Sequence, residues 1–277
     1  MVSKEDILEI FNRTMDINTS DFEEKCKPGY VSPQQRLEKF DETKFNEEDW
    51  GEDTTHIIED AEDMGVEEIP IGRLEQKQFD LQEKVNYTDE EEGMISTYNS
   101  PDLDVFNKLN SYLNEVPYKS QKYRSGGVSS PEMLDGDTQI EVYTDKGQEF
   151  TDDMSLEDFS DKLSKIIKKS PSLQENSVLW RSGHFDKNLK VGESGTFNGF
   201  SSTTFNESFA YAWQENFGTE NSYVMKIYAP KGTNGVATEF AEDAHFESEF
   251  LLDKKQKYVI ISKDDNLNPP VVELLLY

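Results

Sequence analysis

Helix signals crowd the first part of this 277-residue chain and strand signals the second, and that segregation does most to limit the fold. Thr88, with Glu91 three residues on, makes a capping box in which each side chain answers the other's backbone N–H, and Met94, Ile95 and Tyr98 follow at helical spacing before Pro101. Val105, Leu109, Tyr112 and Val116 predict a second helix over 104–116, stopped by Pro117. Ser155 opens a third. Its apolar stripe is Leu156, Phe159, Leu163, Ile166 and Ile167, and Lys165, Lys168 and Lys169 suit the negative end of the helix dipole before Pro171. Between them, a Gly-, Ser- and Asp-rich stretch from Tyr118 to about Asp153 holds one short strand pattern, 139–143. After residue 177 the runs 177–180, 223–228, 258–261 and 271–277 are β-rich. One short helix interrupts them, capped by Asn206 and carrying Phe209, Ala210, Trp213 and Phe217 on one side. Helices first and strands afterwards predict an α+β domain with a mainly antiparallel sheet, not a βαβ array, and no internal repeat is present.

Residues 1–84 read differently. A short helix bearing Ile7, Leu8 and Phe11 is followed by acidic clusters at 41–42, 47–49, 52–53 and 59–63, with Phe40, Phe45 and Trp50 interleaved. High single-sign charge and few apolar groups offset chain entropy poorly, so this stretch reads as an acidic accessory arm or small appended domain, with a solvated linker as the alternative. Residues 85–277 form the main domain in this reading. With 28 basic and 57 acidic residues the net charge is −29, which repels nucleic acid and anionic membranes and favours basic partners. Cys26 alone supports neither a disulfide framework nor a cysteine-rich zinc site, and His56, His184 and His245 lack ligand spacing, so no metal is expected. The first residues lack the apolar core of a secretory signal, and no stretch approaches the roughly 18 apolar residues of a membrane span. A soluble protein acting in a cytoplasm is expected.

Glycines 192, 195 and 199 have the wrong spacing for a dinucleotide-binding turn, and no phosphate-binding Walker loop occurs. Three strand-associated features remain: Trp180-Arg181 at a strand end, Phe200-Ser201-Ser202-Thr203-Thr204, and Glu247-Ser248-Glu249. On an extended backbone Glu247 and Glu249 share one face while Ser248, Phe250 and Leu252 take the other. Two like charges held side by side suit acid/base or cation-binding work, although the edge of a very acidic protein looks the same. Taken singly, Arg181 also reads as a strand-end ion-pair residue, Ser202 and Thr203 as strand formers, and Trp180, Phe200 and Trp213 as packing groups.

Together, Leu179-Trp180-Arg181-Ser182-Gly183, the Phe-x-Ser-Thr-Thr strand and Phe246-Glu247-Ser248-Glu249-Phe250 resemble the mono-ADP-ribosyltransferases of the Arg-Ser-Glu class, which include binary-toxin components, insecticidal toxins and bacteriophage-encoded transferases. The resemblance covers about residues 85–277. It implies two small, mainly antiparallel sheets forming an NAD cleft beside N-terminal helices, and transfer of ADP-ribose from NAD to an arginine of a target protein. By resemblance, Glu249 stabilises the positive charge that develops on the ribose, Arg181 meets the pyrophosphate, and Ser202 hydrogen-bonds Glu249. Ser182 and Gly183 hold the nicotinamide amide, Thr203 belongs to the NAD-binding strand, and Phe217 is the cleft aromatic, here without the arginine that often follows it. Glu247 orients the acceptor, and its attraction for a guanidinium implies an arginine target. The implied partner is a basic protein, met after delivery as a toxin, an injected effector or a phage-encoded host modifier, with no nucleic acid or membrane bound. Two other readings stay open: hydrolysis of NAD with water as acceptor, and a catalytically silent acidic interaction protein that binds through residues 40–63. A carbohydrate hydrolase is disfavoured, because its paired acids stand at least about 5 Å apart across a cleft.

Overall fold

The structure, a computed structural model, describes residues 31–47, 72–100, 103–118, 131–145, 148, 150–219, 221–238 and 249–277. Two compact units divide the chain, Met1–Phe40 and Asp41–Tyr277. In the first, the described element is helix α1, Pro33–Glu38, opened by a capping box between Ser32 and Gln35 with Pro33 in its first turn. The helix expected around Ile7 and the acidic clusters from 48 to 63 lie outside the described residues.

The second unit starts well before residue 85. Asn46 bridges to Ser177, with the Val178 N–H donating to the Asn46 carbonyl at 2.8 Å, and Phe45 packs edge-on against Tyr228. Helix α2, Arg73–Gln82, turns Leu74, Glu75, Gln78, Phe79 and Gln82 inward. Gln78 donates to the Pro171 carbonyl at 2.5 Å; Gln82 accepts from the Ala237 N–H at 2.8 Å and donates to the Ala237 carbonyl. The boundary drawn at residue 85 therefore falls inside this unit, because α2 supplies hydrogen bonds that the sheet edge needs.

Helix α3, Asp89–Asn99, opens with the Thr88–Glu91 capping box, whose bonds measure 2.8 and 3.2 Å. Helix α4, Val105–Leu113, stops short of Val116, where Glu115 takes a positive φ. Helix α5, Leu156–Lys169, is capped by Ser155 and buries the stripe read from its spacing. Strands β1, Gln139–Tyr143, and β2, Thr151–Ser155, form an antiparallel hairpin beside these helices. Each fully buried Leu or Ile of this layer contributes about 1.5–3 kcal/mol.

Eight further strands complete the fold: β3 Ser177–His184, β4 Ser194–Phe197, β5 Ser201–Thr204, β6 Ser222–Ala229, β7 Gly235–Ala237, β8 Glu249–Leu252, β9 Gln256–Asp264 and β10 Val271–Leu276. Helix α6, Glu207–Phe217, follows β5 and is capped by Asn206. The strand order is β4-β9-β10-β6-β3-β5-β8-β7, antiparallel throughout except for β6 with β10. β3 and β5 are joined by a single residue pair, Trp180 with Thr204, whereas β3 and β6 pair along their whole length. The sheet thus divides into a five-stranded and a three-stranded half, hinged at Trp180. One core holds Leu179, Met225, Ile227, Phe250, Leu252 and Ile260, and a second holds Tyr98, Leu109, Phe159, Leu163, Val236 and Leu251. Among the described residues no helix is long and apolar enough to cross a membrane.

Candidate active site

Register decides which side chains meet at the division of the sheet. β5 and β8 pair Thr204 with Glu249 and Ser202 with Leu251. Directly opposite residues share a face, so Ser202, Thr204 and Glu249 all lie on the side where Leu251 joins the helical core. Phe250 and Leu252 point the other way, into the core that holds Leu179 and Met225. Alternation along β8 therefore drives a carboxylate inward beside α3.

Glu249 is only 6% exposed. Its Oε2 accepts from Asn99 Nδ2 at 2.9 Å and from the Thr238 hydroxyl, and its Oε1 has no hydrogen bond among the described residues. The Thr238 N–H also donates to the Glu249 carbonyl at 3.3 Å, closing the base of the connection between β7 and β8. Charge-assisted hydrogen bonds of this kind are what make burial of an ionised carboxylate tolerable.

Arg181 lies just past the hinge, where β3 no longer pairs with β5. Its Nη1 donates to the Ser202 carbonyl at 2.6 Å, taking the place of a ladder N–H. Burial of the guanidinium pulls its pKa down, and the proximity of Tyr98 and Glu249 pushes it back up, so it remains a cation. Tyr98, 1% exposed, stands between these groups. Burial raises its pKa well above the usual tyrosine range and the Glu249 charge adds to this, against the Asn110 hydrogen bond and the charge of Arg181.

The structure thus gathers Arg181, Ser202 and Glu249 around Tyr98. The hydrogen bond expected from Ser202 to Glu249 is not found among the described residues: Glu249 is held by Asn99 and Thr238, and the register sets Ser202 opposite Leu251. Thr203 faces the opposite side and donates to the Phe250 carbonyl at 2.5 Å. The Ser182 hydroxyl donates to Gln214 of α6 at 2.5 Å, and Gly183 follows on the same strand. Phe217 ends α6, 56% exposed, with its ring 4.6 Å from that of Trp213. Trp180 is buried against Lys226, whose ammonium lies 5.0 Å from the ring, and its Nε1 has no hydrogen-bond partner among the described residues. Glu247 lies outside the described residues. Tyr98, Asn99 and Thr238 are the site groups that sequence reasoning missed; the one available signal was that Tyr98 and Asn99 end the capping-box helix.

No protein-family model and no curated protein matches this chain. Among solved structures, ADP-ribosyltransferase Vis in complex with the M6 inhibitor matches with a TM-score of 0.50 and 11% identity, over 82% of this chain and 86% of that chain. The Vis toxin from Vibrio splendidus matches at 0.48 and 11%, over 82% and 87%. C3stau2 from S. aureus, solved with NAD, matches at 0.47 and 14%, over 73% and 94%. With the split sheet and the helical layer packed on its three-stranded half, the chain has the mono-ADP-ribosyltransferase fold.

Proposed function

We propose that this protein transfers ADP-ribose from NAD to an arginine side chain of a basic target protein. The observation that carries the reading is the Glu249 carboxylate, buried and fixed through Oε2, with no hydrogen bond on Oε1 among the described residues, on the same face as Ser202 and beside the partly buried cation Arg181. NAD supplies the ribosyl carbon and nicotinamide as leaving group. The Glu249 carboxylate stabilises positive charge developing on the ribose, through a hydrogen bond from its 2′-hydroxyl. Arg181 neutralises the pyrophosphate, which the −29 charge of the chain would otherwise repel. The bond from ribose to nicotinamide breaks with its electron pair leaving on nicotinamide, and an acceptor guanidinium nitrogen supplies the pair for the new bond. Glu247, two residues before Glu249 on the β7–β8 connection, orients that guanidinium and takes the proton it releases. Delivery as a toxin, an injected effector or a phage-encoded modifier fits this chemistry, and the acidic surface favours a basic target.

Mass-spectrometric mapping after incubation with NAD and cell lysates tests the reading. ADP-ribose on arginine supports it. Release of free ADP-ribose with no labelled protein assigns the site to NAD hydrolysis instead. Glu247→Ala is expected to lose transfer and keep hydrolysis, and equal retention of both activities would contradict the role given to Glu247.

A further inference from the structure

We propose that Asn99 is a positioning residue for this reaction, fixing which oxygen of Glu249 is presented to the substrate. The inference rests on the reading of Glu249 given above. Three consecutive side chains at the end of α3 each engage a different strand. The Thr97 hydroxyl accepts from the Tyr143 N–H of β1 at 2.7 Å, the Tyr98 ring packs edge-on against Phe200 at the entry to β5 with centroids 5.9 Å apart, and Asn99 donates to Glu249 of β8 at 2.9 Å. Successive residues of a helix point about 100° apart, so one rigid turn reaches all three.

The helix itself is closely seated. A Cβ at Gly93 would come within 2.8 Å of the Tyr143 carbonyl oxygen, so only glycine allows α3 to approach β1 this closely. Asn99 is therefore aimed by a fixed element and not by a loop. Its amide and the Thr238 hydroxyl both bond Oε2, so rotating the carboxylate breaks two hydrogen bonds at once. Oε1 accepts no hydrogen bond among the described residues and is the oxygen left to face the reacting ribose. The chemistry of the donor matters as well. A neutral amide holds the carboxylate without neutralising it, whereas a lysine or arginine in that place would weaken its pull on developing positive charge.

The experiment uses the full chain and compares wild type, Asn99→Ala and Asn99→Asp for NAD turnover, KM, Tm and the pH dependence of activity. Asn99→Ala is expected to lower kcat about 10- to 100-fold, the usual consequence of a misaligned reacting group, with little change in KM. Asn99→Asp keeps the volume but sets a second carboxylate against Glu249. Two carboxylates in one site resist joint ionisation, so the acid limb of the pH profile moves to higher pH. A merely structural role would lower Tm and leave that limb in place. Wild-type kcat in Asn99→Ala, or lost activity that follows Tm with an unshifted limb in Asn99→Asp, overturns the inference while leaving the transferase reading intact. Absence of NAD turnover by the wild type overturns both.

Discussion

The guanidinium of Arg181 donates to the backbone carbonyl of Ser202 across 2.6 Å, at the point where β3 and β5 part after one shared residue pair. One side chain thereby links the two halves of the sheet and places a cation beside Glu249. Arg181→Lys keeps the charge but loses the planar fork and the reach to Ser202. A charge-assisted hydrogen bond of about 1.5–3 kcal/mol corresponds to roughly a 10- to 100-fold rise in KM for NAD. Steady-state kinetics check this, and an unchanged KM would remove Arg181 from NAD binding.

Gln82 occupies the outer edge of β7, with both polar atoms of its side chain on Ala237. Gln82→Met fills similar space but leaves the Ala237 N–H and carbonyl without partners, at a cost of about 1–3 kcal/mol. Tm should fall by about 2–4 °C per kcal/mol for a unit of this size. Thermal unfolding monitored by circular dichroism measures it; an unchanged Tm would mean that α2 contributes no stability through this contact.

Tyr258 stands opposite Gly195 across β4 and β9, where a Cβ would come within 2.3 Å of the phenol oxygen, and Phe197 covers the ring at 4.7 Å. Burial, and secondarily the charge of Asp186, pushes its pKa from 10.0 up to about 12. The folded state favours the neutral phenol. The stability this contributes is complete below pH 10, where both states hold the proton, and is lost as pH rises through about 12. Tyr258→Phe should flatten that part of the alkaline stability profile, read as Tm against pH; an identical slope in the variant would contradict it.

Elements whose local chemistry agreed with their packing were legible from sequence. The Thr88 and Ser155 caps and the stripe from Leu156 to Ile167 needed no tertiary information, because caps and amphipathic spacing are local properties. Helix α2 was not legible, since its inward face includes the polar groups Glu75, Gln78 and Gln82, and the partners of Gln78 and Gln82 lie far along the chain. β2 was read as loop because Thr-Asp-Asp-Met shows no apolar alternation, and its pairing with β1 decides its state. In the site, Arg181, Ser202 and Glu249 stood out through motif order. Asn99 and Thr238 carry no spacing signal, and only the register of β8 against α3 and β7 reveals them.

In the proposed reaction, NAD cleavage depends on the Glu249 carboxylate. Nicotinamide release from NAD by wild type and by Glu249→Gln, in the presence of a target-containing lysate, tests it most directly. Gln keeps the size and hydrogen-bonding atoms while removing the charge, so the fold should persist. Turnover by wild type is expected, with loss of both nicotinamide release and protein labelling in Glu249→Gln at unchanged Tm. Comparable nicotinamide release by the two proteins would contradict it.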